Sequence, residues 1–147
     1  MESLTPNLYE AAGGFDRILA LCQRWHARCL ENPEASHPFE HGLHLQHDER
    51  LAAYLSEALG GPVLYTAGYG NETHVQRIHA RNGVHIELDE ACLREFDEAL
   101  NEVGITGETA TAISLYFRRA AEAQRAYASH NAEVPDHLPF NYASAEQ

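Results

Sequence analysis

Apolar residues recur at helical spacing along almost all of this 147-residue chain, and the alternation of β-branched residues that marks strands is missing. The pattern predicts an all-α protein. After Gly13-Gly14, the run FDRILALCQRWHARCLENP puts Phe15, Ile18, Leu19, Cys22, Cys29 and Leu30 on one helical face, with Arg17, Arg24 and Arg28 opposite. Pro33 closes the run. His26 falls near the middle of the apolar face. A second helix is expected over residues 45–59, stopped by Gly60-Gly61-Pro62, with Leu51, Tyr54, Leu55 and Ala58 as its stripe. LYTAGYGNE reads as a loop. ETHVQRIH reads as a short amphipathic helix with Val75, Ile78 and His79 inward, and ARNG breaks it. Two long helices follow. Residues 86–103 carry Leu88, Cys92, Phe96, Ala99 and Leu100; residues 107–129 carry Ile113, Tyr116, Phe117, Ala120 and Tyr127. No repeat or linker divides the chain. One domain is expected over residues 1–129, with residues 130–147 as an irregular, partly disordered tail.

The bulk properties narrow the function. A net charge of −12 repels nucleic acid and anionic membranes. No apolar run approaches the roughly 20 residues that span a bilayer. The N-terminus lacks the basic start and apolar middle of a signal peptide. Cys22, Cys29 and Cys92 form no CxxC and read as buried, reduced thiols of a cytoplasmic protein. The acidic stretches ELDE and EFDEALNE read as solvated helix faces. Histidine is the unusual residue: the chain has ten, as many as its lysines and arginines together.

Four histidines, His37, His41, His44 and His47, crowd into HPFEHGLHLQHDERLAAYL. On one unbroken helix they would share a face. Pro38 and Gly42 argue against such a helix, so His37 and His41 fall in a preceding loop. His44 sits near the helix start, and His47 extends the apolar stripe. His26, His47 and His79 then lie on apolar faces of three different helices. Any one of them alone reads as a hydrogen-bonded core residue. Three together suggest a metal centre, since neutral imidazole suits Fe, Zn or Cu. The usual small-ion patterns are absent: there is no HExxH, no paired cysteines and no matched ExxH motifs. Nor is there a nucleophile elbow, a P-loop or a GxGxxG.

The order of features resembles the truncated haemoglobins, group II above all, up to about residue 129. The residues that carry the resemblance are Gly13-Gly14 opening a helix that ends in WHARCLENP, an aromatic Phe39 in the next corner, and DERLAAYLSEALGGPVLY. A short helix ending in His79 and two long helices complete it. The resemblance implies a two-over-two helical sandwich around haem b, iron protoporphyrin IX. It places the proximal iron ligand at His79, fourteen residues after Tyr65, with His74 and His85 as alternatives. It places His26, twelve residues after Gly14, and His47 on the distal, ligand-facing side. Phe39 would pack on the porphyrin, and Leu51 would lie a turn beyond His47. Cys92 would occupy the pocket position on the following helix. Leu55, Leu88, Phe96 and Ile113 could line the slot. The chain departs from the group II pattern at three points. His26 stands where tyrosine is usual, Cys92 where tryptophan is usual, and the segment from Tyr65 to His79 is one residue longer.

On that reading the protein binds O2 and related small ligands (CO, NO, cyanide, sulfide), for oxygen binding and transport or for detoxifying NO or peroxide. An imidazole N–H donated to bound dioxygen would contribute about 1.5–3 kcal/mol. A distal histidine could instead bind the iron, or act as acid–base in peroxide cleavage. No catalytic residue is assigned; NO dioxygenase or peroxidase-like turnover would need an external reductase, for which the acidic faces suit docking. A monomer or homodimer is expected. Two other classes compete: a non-haem metal-binding helical protein using the His37–His47 cluster, and a haem-less globin-fold interaction module.

Overall fold

In the computed structural model, residues 7–40 and 45–143 are described. They form helices and no strand. The helices are α1 (Leu8–Ala11), α2 (Gly14–Glu31), α3 (His37–Glu40), α4 (His47–Ala58), α5 (Tyr65–Gly68), α6 (Glu72–His79), α7 (Ile86–Glu102) and α8 (Gly107–Ala123). A 3-10 turn, Gln124–Tyr127, follows α8 directly. The expected helix over 107–129 is therefore shorter, tightening into 3-10 geometry before it ends. Two segments read as loops contain single helical turns, α3 from His37 and α5 from Tyr65. Pro38 is tolerated in α3 because the first turn of a helix needs no N–H donor there. His41, Gly42 and His44 lie outside the described residues.

Two helix pairs make the frame. Helix α2 packs along α4 and crosses to α7, and α7 packs on α8. Ile18, Leu21, Cys22, Trp25 and Cys29 of α2 are buried at helical spacing. Leu30, expected on this face, is exposed, because the face turns toward Leu21 and Trp25. Trp25 is the hinge of the two layers. Its ring meets Phe39, Phe96 and Phe117 edge-on at 5.0, 5.9 and 5.1 Å, and its Nε1 donates to the Cys92 carbonyl at 2.9 Å. Phe96 and Phe117 stack at 3.8 Å, joining α7 to α8. Edge-on and stacked aromatic pairs each add about 0.5–1.5 kcal/mol beyond their buried area. On the outside, Arg28 pairs with Glu95 and Glu102, and Arg24 with Glu102. Part of the EFDEALNE face therefore docks α7 on α2 instead of being wholly solvated.

Helix α4 is buried on nearly every side, from Ala52 through Ala58. Its small residues Ala52, Ala53 and Ser56 allow neighbours to approach closely. The stop after it is tight. Gly60 takes φ +102°, which a side chain would resist, and a Cβ on Gly61 would come within 2.5 Å of the Tyr9 ring. The Glu57 carboxylate, 2% exposed, accepts from the Tyr65 and Thr66 amides and the Thr66 hydroxyl. That carboxylate holds the turn that carries the chain toward α6.

Candidate functional site

The first turn of α4 faces the middle of α2. There His26, His47 and Asp48 converge beneath Phe39 from α3. The Asp48 carboxylate accepts from His26 Nδ1 at 2.9 Å (Oδ1) and 3.2 Å (Oδ2), and from His47 Nδ1 at 3.2 Å. The three rings of His26, His47 and Phe39 lie 5.2 to 6.0 Å apart between centroids. All three site side chains are partly exposed: 25% for His26, 27% for His47 and 21% for Asp48. An ionised carboxylate only accepts, so it fixes the proton of each imidazole on Nδ1. Each Nε2, across the ring, then carries a lone pair.

His79 closes α6. Its Nδ1 donates to the Val75 carbonyl at 2.9 Å, which likewise leaves Nε2 with its lone pair. One side of the ring is open to solvent while the rest is crowded by protein. Crowding is the main cause that holds its imidazole below the ordinary histidine range, and His47, when protonated, adds to it. His47 and His79 are thus electrostatically coupled, although they sit on separate helices. The alternatives behave differently. His74 is exposed, with its amide capped by Asn71, and the His85 Nε2 bonds the Asn82 carbonyl at 2.7 Å.

The polarity of α6 reverses the expected reading. Its buried residues are Glu72, Thr73 and Gln76, whereas Ile78 and His79 are exposed and Val75 is only partly buried. The inward side is a polar network. Glu72, 4% exposed, accepts from the Tyr54 hydroxyl at 2.6 Å, from Gln76 Nε2 at 2.9 Å and from the Asn141 amide at 3.2 Å. Burial, first of all, raises the phenols of Tyr54 and Tyr116 well above their usual range. The other face of α6 leads into an exposed aliphatic set: Ile78 is 58%, Val84 55% and Ile86 49% exposed.

The remaining candidates divide. Leu51 and Leu88 are half-buried, on α4 and α7. Leu55, Phe96 and Ile113 are fully buried in the helical core. Cys92 is half-buried; its thiol donates to the Ala35 carbonyl at 3.7 Å. Cys29 is its neighbour, and the contact holds the Cys92 thiol below and the Cys29 thiol above the usual range. A groove of about 740 Å³ at the α7–α8 turn, lined by Leu100, Ile105, Ala110 and Leu115 among others, includes none of the histidines. Sequence reasoning missed Asp48 and Glu72. The available signal for Asp48 was its place beside His47 in the first turn of a helix; nothing marked Glu72 as buried.

The bacterial-like globin family model matches residues 7–125. No curated protein matches the chain by sequence. Among solved structures, the haemoglobin of the thermophilic phototrophic bacterium Chloroflexus aurantiacus is 28% identical, with a TM-score of 0.70 over 82% of this chain and 98% of that one. The group II 2-on-2 haemoglobin of Agrobacterium tumefaciens is 27% identical, with a TM-score of 0.72 over 85% and 98%. The group II truncated haemoglobin of Bacillus anthracis shares the fold at 21% identity, with a TM-score of 0.72 over 92% and 98%. The helical frame, the order of its elements and these likenesses agree: the chain belongs to the bacterial-like globin family and is a truncated haemoglobin.

Proposed function

We propose that this globin holds haem b through His79 and takes O2 or a related small ligand on the face where His26 and His47 stand. The observation that carries the reading is the state of His79. Its Nδ1 proton is committed to the Val75 carbonyl, its imidazole is kept neutral by crowding, and its Nε2 is left free to bind a metal. The residues fit the cofactor. The exposed Ile78, next to His79 in the chain, with Val84 and Ile86 further on, offers apolar surface, and Leu51 and Phe39 offer it on the α4 side. Arg50, whose buried Nε has no hydrogen-bond partner, supplies a cation for a propionate. The iron, when bound, supplies a Lewis-acidic, redox-active centre for the small ligand.

The protein's own part is set by Asp48. It holds both distal imidazoles with the proton on Nδ1, so each neutral ring presents an acceptor. That arrangement suits ligands that arrive protonated, such as hydrogen peroxide, hydrogen sulfide or hydrogen cyanide. The ligand proton passes to Nε2 of His47 or His26, and the negative charge of Asp48 stabilises the imidazolium that results. Dioxygen brings no proton, and receives a hydrogen bond only from an imidazolium. The pocket therefore favours binding of peroxide or sulfide over tight oxygen storage; reduction of peroxide to water would draw its two electrons from an external reductase. The cytoplasm is the expected setting. Among the described residues no helix is long and apolar enough to cross a membrane.

Absorption spectra of the ferric, ferrous and CO-bound forms test the reading. A Soret band with a histidine-ligated ferrous spectrum is expected, and its loss in His79→Ala. Unchanged spectra in that variant would move the proximal role to another residue. No haem uptake by the parent protein would favour a globin fold without haem.

A further inference from the structure

We propose that His26, His47 and Asp48 form a binding site for a divalent transition-metal ion, of the zinc or ferrous class, separate from the haem iron. Two imidazoles and one carboxylate are a donor set that such ions prefer over magnesium or calcium. The geometry is nearly that of a chelate. One ligand atom from each residue lies within 4.8 Å of the other two. Nδ1 of His26 and of His47 lie 2.9 and 3.2 Å from Asp48 Oδ1. An ion with bonds of about 2.0–2.2 Å sets neighbouring ligands roughly 3.0–3.6 Å apart, so two pairs already stand at chelating separation. The third separation, between the two imidazole nitrogens, is bounded only by the same 4.8 Å.

Charge and placement support the site. Among the described residues no arginine pairs with Asp48; its partners are the two histidines. A partly buried carboxylate between two imidazoles attracts a cation. The ligands come from α2 and α4, which pack directly on each other. Their partial exposure gives an ion a route in and leaves coordination positions for water or another small ligand. This set is also distinct from the run His37, His41, His44: it takes His47 from that stretch and joins it to a histidine 21 residues earlier.

Metal at this site would change what the histidines do. With the ion on Nδ1, each neutral imidazole must carry its proton on Nε2. The two rings then become donors where without the ion they are acceptors. This consequence, though not the site itself, rests on the distal roles proposed above. A bound ion would shift the pocket from accepting a ligand proton toward donating to an anionic or oxygen-like ligand.

Calorimetric titration of chelator-treated, haem-loaded protein with Zn2+ tests the site. One zinc per chain is expected. Asp48→Asn and His26→Asn should each weaken binding by at least about 100-fold, since losing even an outer partner of a metal ligand costs about 10–100-fold. A His41→Gln/His44→Gln double variant should bind as the parent does. Circular dichroism and the Soret band check that Asp48→Asn is folded and loaded, so that loss of zinc there is not loss of fold or haem. In the parent, ¹⁵N shifts of the two imidazoles should report metal on Nδ1. Absence of zinc binding at millimolar concentration would overturn the proposal. So would parent-like binding by Asp48→Asn, or loss of binding in the His41/His44 double variant.

Discussion

A single histidine shows how neighbours set chemistry. In His79, crowding by protein atoms and the charge of a protonated His47 outweigh the Val75 carbonyl and Glu72, which act in the opposite sense, and the imidazole is held below its ordinary value of 6.5. The unfolded chain therefore takes up this proton first as pH falls. The stability linked to His79 is complete above about pH 6.5 and declines as pH drops below it, until the folded imidazole itself protonates. The expected outcome in haem-free protein is an NMR titration of the His79 ring with its midpoint below that of a free histidine. A midpoint at or above the free value would mean that the ring is solvated. The same logic keeps the Nε2 lone pair of His79 unprotonated into mildly acid solution. In the sequence His26, His47 and His79 stood out as polar residues on apolar stripes; the structure brings His26 and His47 together and leaves His79 at the exposed end of α6. Asp48 did not stand out, because an acidic residue in the first turn of a helix is ordinary there, favoured by the helix dipole. Only the packing of α2 on α4 shows that it accepts from two histidines at once.

Among the elements, α6 departs furthest from its amphipathic pattern. ETHVQRIH is helical over the span its periodicity predicts, yet it turns its polar side inward. The pattern located the helix but not the direction of its faces. Periodicity cannot tell a surface covered by protein from one covered by a ligand. Glu72 makes the polar side stable, satisfying three donors from α4, α6 and the C-terminal segment. Removing it strands buried donors, each worth about 1–3 kcal/mol. Glu72→Ala should therefore lower the unfolding free energy by about 3 kcal/mol, read from urea denaturation, allowing for some relaxation toward water. Glu72→Gln, which keeps an acceptor oxygen, should cost less. Equal and small losses in both variants would show that the network carries little of the stability of α6. The other helices were more legible because their apolar faces meet other helices; only Leu30 on α2 is exposed where the pattern placed it inside.

The whole molecule depends on a segment that has no helix. Past Tyr127 the chain runs as an irregular strap over α4, α6 and α8. Thr73 donates to the Pro135 carbonyl and accepts from the Leu138 amide, and Arg77 pairs with Asp136. Arg81 reaches the Ala132 carbonyl, and Tyr116 donates to the Asn141 carbonyl at 2.7 Å. Phe140 lies 4.7 Å from the Tyr54 ring, and the Ala143 amide donates to the Ala58 carbonyl at the end of α4. Two prolines and the absence of apolar periodicity made irregular structure legible here. The docking was not, because backbone hydrogen bonds to distant residues leave no pattern in the strap's own sequence. The strap ties α6, and with it His79, to α4 and α8, which links the position of His79 to the rest of the fold. A variant ending at Ser129 should lose the Phe140 contact and all of these bonds, a cost of about 4–6 kcal/mol at roughly 1 kcal/mol for each of the four less exposed hydrogen bonds and about 25 cal/mol per Å² of Phe140 surface. Hydrogen exchange should rise chiefly in α6 and at the end of α4, while α2, α7 and the Trp25 cluster stay protected. Haem loss from the truncated protein, followed by transfer to an acceptor globin, should be faster than from the full chain. Uniform exchange across all helices would instead make the strap part of the global core, and unchanged exchange in α6 would show that the strap does not hold α6 in place.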